Sequence, residues 1–255
     1  MKNYASLVCF AVLLLLLHPH TAQAQIDLGI KAGLSIPNLS SGSSANPINS
    51  GYGSRLGPDI AIHAEFHITS RFSIQPELRY SAQGGKKNGN QAFSVPPELQ
   101  PMFPPGTAPQ YLYADYKSTA KINYLMLPVL AKYHFLPNGP WDLYAALGPF
   151  VSLRVSAKNI TSGSSNIYLD ETHMQPMLPS AQSFDRKEDI KDEIRPINAG
   201  IDGHIGIAYR WKRCSVFLEG GGNYGFINIQ KNDINGKNNT GAAVIAAGYA
   251  FRIGR

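Results

Sequence analysis

Apolar and polar residues alternate strictly from Phe72 to Tyr80, within the segment RFSIQPELRYSAQGG (71–85). The even positions are apolar, whereas the odd positions hold Ser73, Gln75, Glu77 and Arg79. A period of two is typical of a β-strand whose two faces meet different surroundings. The pattern alone does not decide whether the apolar face packs into a core or faces lipid.

The same alternation recurs along the chain and predicts eight strands. They span 26–36, 58–68, 71–81, 121–135, 141–156, 196–210, 215–228 and 240–253. The segment 121–135 is apolar on both faces, so its period is ambiguous. No helical period of comparable quality is present. The charged segment 185–195 lacks an apolar stripe, which predicts a solvated loop with at most a short helical turn.

The predicted connections alternate between short and long. Strands two and three, four and five, and six and seven are joined by two to five residues, in TS, LPNGP and WKRC. The other connections are long and rich in Ser, Gly and Pro, and they cover 37–57, 82–120, 157–195 and 229–239. A transmembrane barrel has short periplasmic turns and long outer loops, whereas a soluble sandwich has no reason to sort its loops in this way.

Strand length favours the same architecture. The predicted strands have 11–16 residues, whereas about 9–11 suffice to cross a bilayer at a tilt and strands of globular sheets average about five to six. We therefore predict an all-β fold, a single antiparallel up-and-down transmembrane β-barrel of about eight strands. Its domain is expected to span 25–255, with long extracellular loops and short periplasmic turns.

Residues 1–24 have the features of a signal peptide. Lys2 precedes an apolar run of about 11 residues, too short for the roughly 20 of a spanning helix, and Ala22-Gln23-Ala24 fits the cleavage pattern. An uncleaved anchor is the alternative. Cleavage after Ala24 leaves Cys214 as the sole cysteine, so no intramolecular disulfide is expected.

Charge excludes one class of partner. Without Lys2 the chain has 22 basic and 17 acidic residues, a net charge of about +5. The basic residues are scattered and form no block, so no nucleic-acid partner is predicted.

The barrel hypothesis assigns each face of the opening strand. Phe72, Ile74, Leu78 and Tyr80 are expected to face outer-membrane lipid. An eight-stranded lumen is just wide enough for side chains to fill it, so inward polar residues have to pair with one another. The predicted lumen network comprises Asp27, Lys31, Asp59, His63, Glu65, Gln75, Glu77, Arg79, Arg154, Asp202, His204, Arg210 and Glu219.

Several segments together resemble a known family. They are GIKAGLSIPNL (29–39), QPELRYSAQGGKK (75–87), YLMLPVLAKYHF (124–135), LGPFVSLRVS (147–156) and AAGYAFRI (246–253). In this order they are similar to the PorT-like outer-membrane β-barrel family of Bacteroidetes. The resemblance implies an outer-membrane location and a single barrel, but no defined activity.

One strand carries a candidate metal site. His63, Glu65 and His67 share a face, and imidazole and carboxylate are zinc ligands. Residues two apart on a strand are separated by about 6.6 Å, which is awkward for one ion. We therefore favour the alternative, in which they pair with charges such as Lys31 and Arg79, and predict no metal site.

A catalytic barrel is a further hypothesis. Its acid and base groups would come from the third long loop: Asp170, Glu171, His173, Asp185 and Asp189. Solvation of a loop requires such residues in any case, and no pair has a catalytic spacing. We therefore expect no enzyme activity and no cofactor.

The sequence leaves three functions open. The first is a membrane-anchored scaffold or a component of an envelope or secretion assembly, contacting other envelope proteins through the loops 82–120 and 157–195. The second is a narrow porin-like channel for small solutes. The third is a soluble periplasmic barrel that binds an apolar ligand and turns its apolar faces inward.

Overall fold

The computed structural model describes residues 25–41, 46–48, 50–232 and 236–253. The predicted signal peptide lies outside these residues. Among the described residues there are eight long strands: β1 (Ile26–Ser40), β2 (Gly57–His67), β3 (Phe72–Ser94), β4 (Tyr111–His134), β5 (Trp141–Ser162), β9 (Ile197–Trp211), β10 (Cys214–Gly225) and β11 (Asn239–Ile253). Three short strands lie between the fifth and sixth long ones: β6 (Ser164–Ser165), β7 (Gln182–Ser183) and β8 (Arg186–Asp189).

The eight long strands close into a ring. Each pairs antiparallel with its neighbours in the order β4-β3-β2-β1-β11-β10-β9-β5, and β4 pairs with β5 to complete the circle. The first and last strands meet along their whole length, from Ile26 opposite Ile253 to Ser40 opposite Asn239. The predicted all-β, antiparallel barrel of eight strands is therefore confirmed.

Strands extend further at the long-loop end than the sequence predicts. β3 and β4 have 23 and 24 residues, and they remain paired up to Ser94 opposite Tyr111. The predicted loop 82–120 is therefore mostly a two-stranded extension with a tip at 95–110. The apolar alternation is lost in this extension because both of its faces are partly polar, whereas backbone pairing needs no such alternation.

The predicted loop 157–195 also contains strand. β5 continues to Ser162. Its segment Lys158–Thr161 lies beyond the first residue of β9, Ile197, and pairs with β8 instead. The expectation that 185–195 is only a solvated loop is wrong for Arg186–Asp189. In the proline-rich segment 96–105 the structure forms a 3-10 turn, Gln100–Met102, with no buried residue.

The outer surface is apolar over the middle of the strands. Leu78 is 40% exposed, and Ile30, Ile62 and Ile205 are exposed as well. Aromatic residues collect at the short-turn end, as in the interfacial belts of membrane proteins. They include Phe72, Tyr133, Trp141, Tyr209, Trp211 and Tyr249.

The two ends of the interior differ. At the long-loop end an apolar cluster fills the mouth, and the loop residues Ile194 and Ile229 pack there on Ile122, Tyr124 and Phe150. Below this cluster, the lumen is filled mainly by polar and charged side chains. In the described part of the chain, no helix has the length and hydropathy needed to cross a membrane.

Candidate functional site in the polar lumen

Strand alternation positions the lumen residues. On β3 the side chains of Gln75, Glu77, Arg79 and Ser81 are buried, whereas the intervening Leu78 is exposed. The side chains of a strand point alternately to its two faces, so this strand supplies a column of polar groups along the lumen.

Arg79 lies at the centre of the lumen with no exposed surface. Its guanidinium lies 2.9 Å from Asp202 on β9 and 3.8 Å from Asp59 on β2. The Nε atom of Arg79 also donates to Glu77 over 3.1 Å. One cation is therefore held by carboxylates of three strands, two of them on opposite sides of the barrel.

A second cation bridges the lumen nearer the short-turn end. Lys31 of β1 donates to Glu77 over 2.7 Å and to Glu219 of β10 over 2.6 Å. The Tyr144 hydroxyl donates to the other oxygen of Glu219 over 3.0 Å. All four side chains are buried, and a charge in such a place is stable only when it is paired and hydrogen-bonded.

Glu65 is the centre of a third group, at the short-turn end. Its Oε2 atom accepts from Lys132 over 2.7 Å, and its Oε1 atom accepts from the Ser73 hydroxyl over 2.6 Å. The Nε2 atom of His134 lies 2.8 Å from Oε1, and Nδ1 of His67 lies 3.8 Å from it.

Two further carboxylates flank that group. His67 Nε2 lies 3.0 Å from Asp27, which accepts two bonds from Arg252 over 2.7 and 2.8 Å. His134 Nδ1 lies 2.7 Å from Asp142. Asp142 also accepts from Arg210. A continuous chain of charged side chains thus lines the short-turn end of the lumen.

The structure places the predicted lumen residues as follows. All are buried except Arg154 and Arg210, which are half-buried. Arg210 still joins the network through Asp142. Arg154 does not, because its guanidinium donates to the backbone carbonyls of Lys191 and Ile194 in the third long loop.

His63 is separated from the other two metal candidates. Its ring packs edge-on against Phe217, with 5.6 Å between the ring centroids. Gly29 faces that ring, and a Cβ there would lie 2.4 Å from it, so the position excludes a side chain. The hypothetical set His63, Glu65 and His67 is therefore not the set that the fold brings together.

Sequence reasoning missed several members of the network. They are Ser73, Lys132, His134, Asp142, Tyr144 and Arg252. Lys132 and His134 lie in the segment 121–135, which is apolar on both faces. Its inward positions Tyr124, Met126 and Leu130 are apolar, so the alternation does not mark the inward face. Lys132 and His134 are separated from those residues by even numbers of positions, so they lie on the same face of the strand, and this spacing could have identified them.

The loop residues considered for catalysis hold turns together. Asp170 accepts from the Thr172 hydroxyl and from the backbone N–H groups of Met174 and Gln175. These hydrogen bonds, that from Thr172 first, lower the pKa of Asp170. His173 stacks on Tyr168 and lies 3.3 Å from Asp115.

The other loop candidates have the same role. Asp185 accepts from the Gly163 N–H over 3.0 Å, and Asp189 accepts from the Lys191 N–H over 3.0 Å. Glu171 contributes its backbone carbonyl, which accepts from Asn90 over 2.8 Å. These contacts join the loop to itself and to the β3–β4 extension.

A closed antiparallel ring with an apolar exterior and a polar interior defines the class of transmembrane β-barrels. The sequence pattern of the family described as "Outer membrane protein beta-barrel domain" matches residues 21–231, well over half of the 255 residues. The chain belongs to this family, which supports an outer-membrane location.

Several solved structures are similar to this chain. Neisserial surface protein A is 17% identical, with a TM-score of 0.37, and covers 89% of this chain and 97% of its own. The attachment invasion locus protein Ail of Yersinia pestis is 10% identical, with a TM-score of 0.38, over 88% of this chain and 98% of its own. A major outer membrane protein from Thermus thermophilus is 13% identical, with a TM-score of 0.41, over 89% and 99%. Among curated proteins there is no match.

Proposed function

We propose that this barrel is a non-enzymatic, membrane-anchored scaffold of the outer membrane with a closed lumen. Its outward face contacts lipid, and its extracellular segments bind other proteins of the cell envelope. The observation that carries the proposal is the pair of cross-lumen cations. Arg79 and Lys31 connect β1, β2, β3, β9 and β10 through buried carboxylates, which leaves the interior occupied by side chains.

The extended β3–β4 hairpin and the loop after β5 support the proposal that extracellular segments bind other proteins. Phe184 of this loop stacks on Tyr116 of the hairpin, with ring centroids 4.6 Å apart, and Asn90 donates to the loop backbone. An ordered extracellular surface of this kind suits protein recognition better than a flexible loop would. The partner is proposed as a component of an envelope or secretion assembly of the PorT-like type, on the strength of the PELRYS and YLMLPVLAKY segments.

Conductance tests the closed lumen. We expect the purified, folded barrel to give no steady single-channel current in a planar bilayer. The double variant Arg79→Ala with Lys31→Ala removes both cross-lumen cations. It is the control that shows whether the assay detects current through an opened lumen. Steady current from the wild-type protein would refute the scaffold and favour a narrow channel for small solutes. Recovery of a stable, soluble monomer without detergent would instead favour the soluble, ligand-binding barrel.

Protease added to intact cells tests the orientation. We expect cleavage at the hairpin tip, 95–110, and in the loop between β6 and β7, with protection of the turn 136–140. We expect 82–94 and 111–120 to resist cleavage. The sequence predicted a loop there, but the structure pairs these segments, and their backbone is hydrogen-bonded in a ladder. Cleavage only at 136–140 would mean that the barrel is inverted.

A further inference from the structure

We propose that Glu65, His67 and His134 bind one divalent cation with the preferences of zinc, at the short-turn end of the lumen. One atom from each residue, Glu65 Oε1, His67 Nδ1 and His134 Nε2, converges there, and such atoms lie within 4.8 Å of one another. β2 supplies two of these residues and β4 the third, and β3 lies between these two strands, so the set depends on the pairing of three strands.

The separations suit a tetrahedral ion. Ligand bonds of about 2.0–2.2 Å to zinc put neighbouring ligand atoms about 3.3 Å apart. Glu65 Oε1 lies 2.8 Å from His134 Nε2 and 3.8 Å from His67 Nδ1. These two distances lie on either side of the required value, so side-chain rotations have to bring the ligand atoms to the tetrahedral spacing.

The outer contacts have the pattern of a zinc site. Metal-bound histidines almost always donate their second ring N–H to a carboxylate or a carbonyl, which fixes the tautomer that leaves a lone pair for the metal. Here Asp142 lies 2.7 Å from His134 Nδ1, and Asp27 lies 3.0 Å from His67 Nε2. Both imidazoles are therefore held by a carboxylate on one side and face Glu65 on the other.

Lys132 and Ser73 are the remaining neighbours of Glu65. Lys132 contacts Oε2 of Glu65, whereas Oε1 is the oxygen that faces the two imidazoles. The Ser73 hydroxyl lies 2.6 Å from Oε1 and 3.0 Å from His134 Nε2. A bound ion would either take this hydroxyl as its fourth ligand or displace it.

Three carboxylates and three cations surround the site. The carboxylates of Asp27, Glu65 and Asp142 are matched by Lys132, Arg210 and Arg252. A divalent cation at the site would lie next to Glu65, with Asp27 and Asp142 on the far side of the two imidazoles.

The site is accessible from the short-turn end. The side chains of His67 and Asp27 are 13% and 12% exposed, whereas the Lys31 and Glu77 side chains deeper in the lumen are almost fully buried. A cation from the periplasm therefore reaches the group without crossing the central network.

Cobalt titration of the metal-stripped barrel, folded in detergent and carrying no polyhistidine tag, tests the proposal. We expect one equivalent of Co²⁺ to give the visible bands of a tetrahedral site, and one equivalent of Zn²⁺ to displace it. His67→Gln, at the more exposed ligand, should abolish the spectrum while retaining heat-modifiable migration in gels. Asp142→Asn should weaken Zn²⁺ binding by about ten- to hundredfold, the usual effect of a lost outer contact.

His63→Gln is the matched control, on the same face of the same strand but outside the group. It should bind Co²⁺ as the wild type does, and so should His173→Gln in the extracellular loop. Absence of stoichiometric binding by the wild-type barrel would overturn the proposal. The same conclusion would follow if folded His67→Gln kept the spectrum, or if either control variant lost it.

Discussion

The outer and inner faces of β3 lie in opposite environments and place different demands on their residues. Leu78 is 40% exposed on the outer surface, whereas Glu77, its neighbour in the chain, is buried among Lys31, Gln75 and Arg79. The outside needs only to be apolar, a requirement that many residues satisfy. The inside needs particular partners at particular distances, because each buried charge requires its own counter-charge.

Removal of the central cation should have the largest effect. We expect Arg79→Met to lower the free energy of unfolding by about 3–5 kcal/mol, because Glu77, Asp59 and Asp202 then lack their shared partner in a buried network. Reversible refolding into lipid vesicles from urea measures this change. Lys121→Met, at an exposed position of β4, is the control and should be nearly neutral. A tolerated Arg79→Met would mean that the lumen is hydrated enough to screen these charges.

A charge on the outer face should rank second. Leu78 lies six residues above the start of β3, about halfway across the apolar band, so Leu78→Arg is expected to cost about 2–4 kcal/mol in the same refolding assay. Met174→Arg introduces the same charge at an exposed loop position and should have little effect. If both substitutions were equally mild, the outer face of β3 would not contact hydrocarbon.

A double-mutant cycle tests whether the effect of an inward residue depends on its partner, whereas that of an outward residue does not. Glu77→Gln and Lys31→Met should each destabilise the barrel, and the double variant should be milder than the sum of the two, with a coupling of about 0.5–3 kcal/mol. The same cycle between Glu77→Gln and Leu78→Arg should show a cost for Leu78→Arg in every background. Additive effects of Glu77→Gln and Lys31→Met would contradict the bridge between them.

An exposed ion pair should have the smallest effect. Arg186 and Glu188 of β8 are 2.9 Å apart, but their side chains are 74% and 44% exposed. We expect Arg186→Ala to change the free energy of unfolding by less than about 1 kcal/mol, because water and salt screen such a pair. Measurement at low and high salt checks this, and a loss as large as that of Arg79→Met would remove the distinction between enclosed and exposed charges.

Much of this architecture could be predicted from sequence, and the exceptions are informative. The eight strands, and for most of them the division into a polar and an apolar face, followed from alternation at positions such as Glu77 and Leu78. The extension of β3 to Ser94 did not, since beyond the apolar band both faces are partly polar and the period disappears. His134 was missed for a related reason: the inward face of β4 is apolar along most of its length, which conceals two polar residues at its end.

The sequence by itself determined how the residues of most strands divide between two faces, because a period of two is a local property of an extended chain. Only the closed barrel decided which inward residues meet. Glu65 and His134 are far apart along the chain, and their contact depends on the order, tilt and stagger of the strands, which set the height of every side chain in the lumen. Because these heights arise from pairing around the whole ring, no single segment encodes them, and the grouping of Glu65 with His67 and His134 rather than with His63 is a property of the tertiary structure.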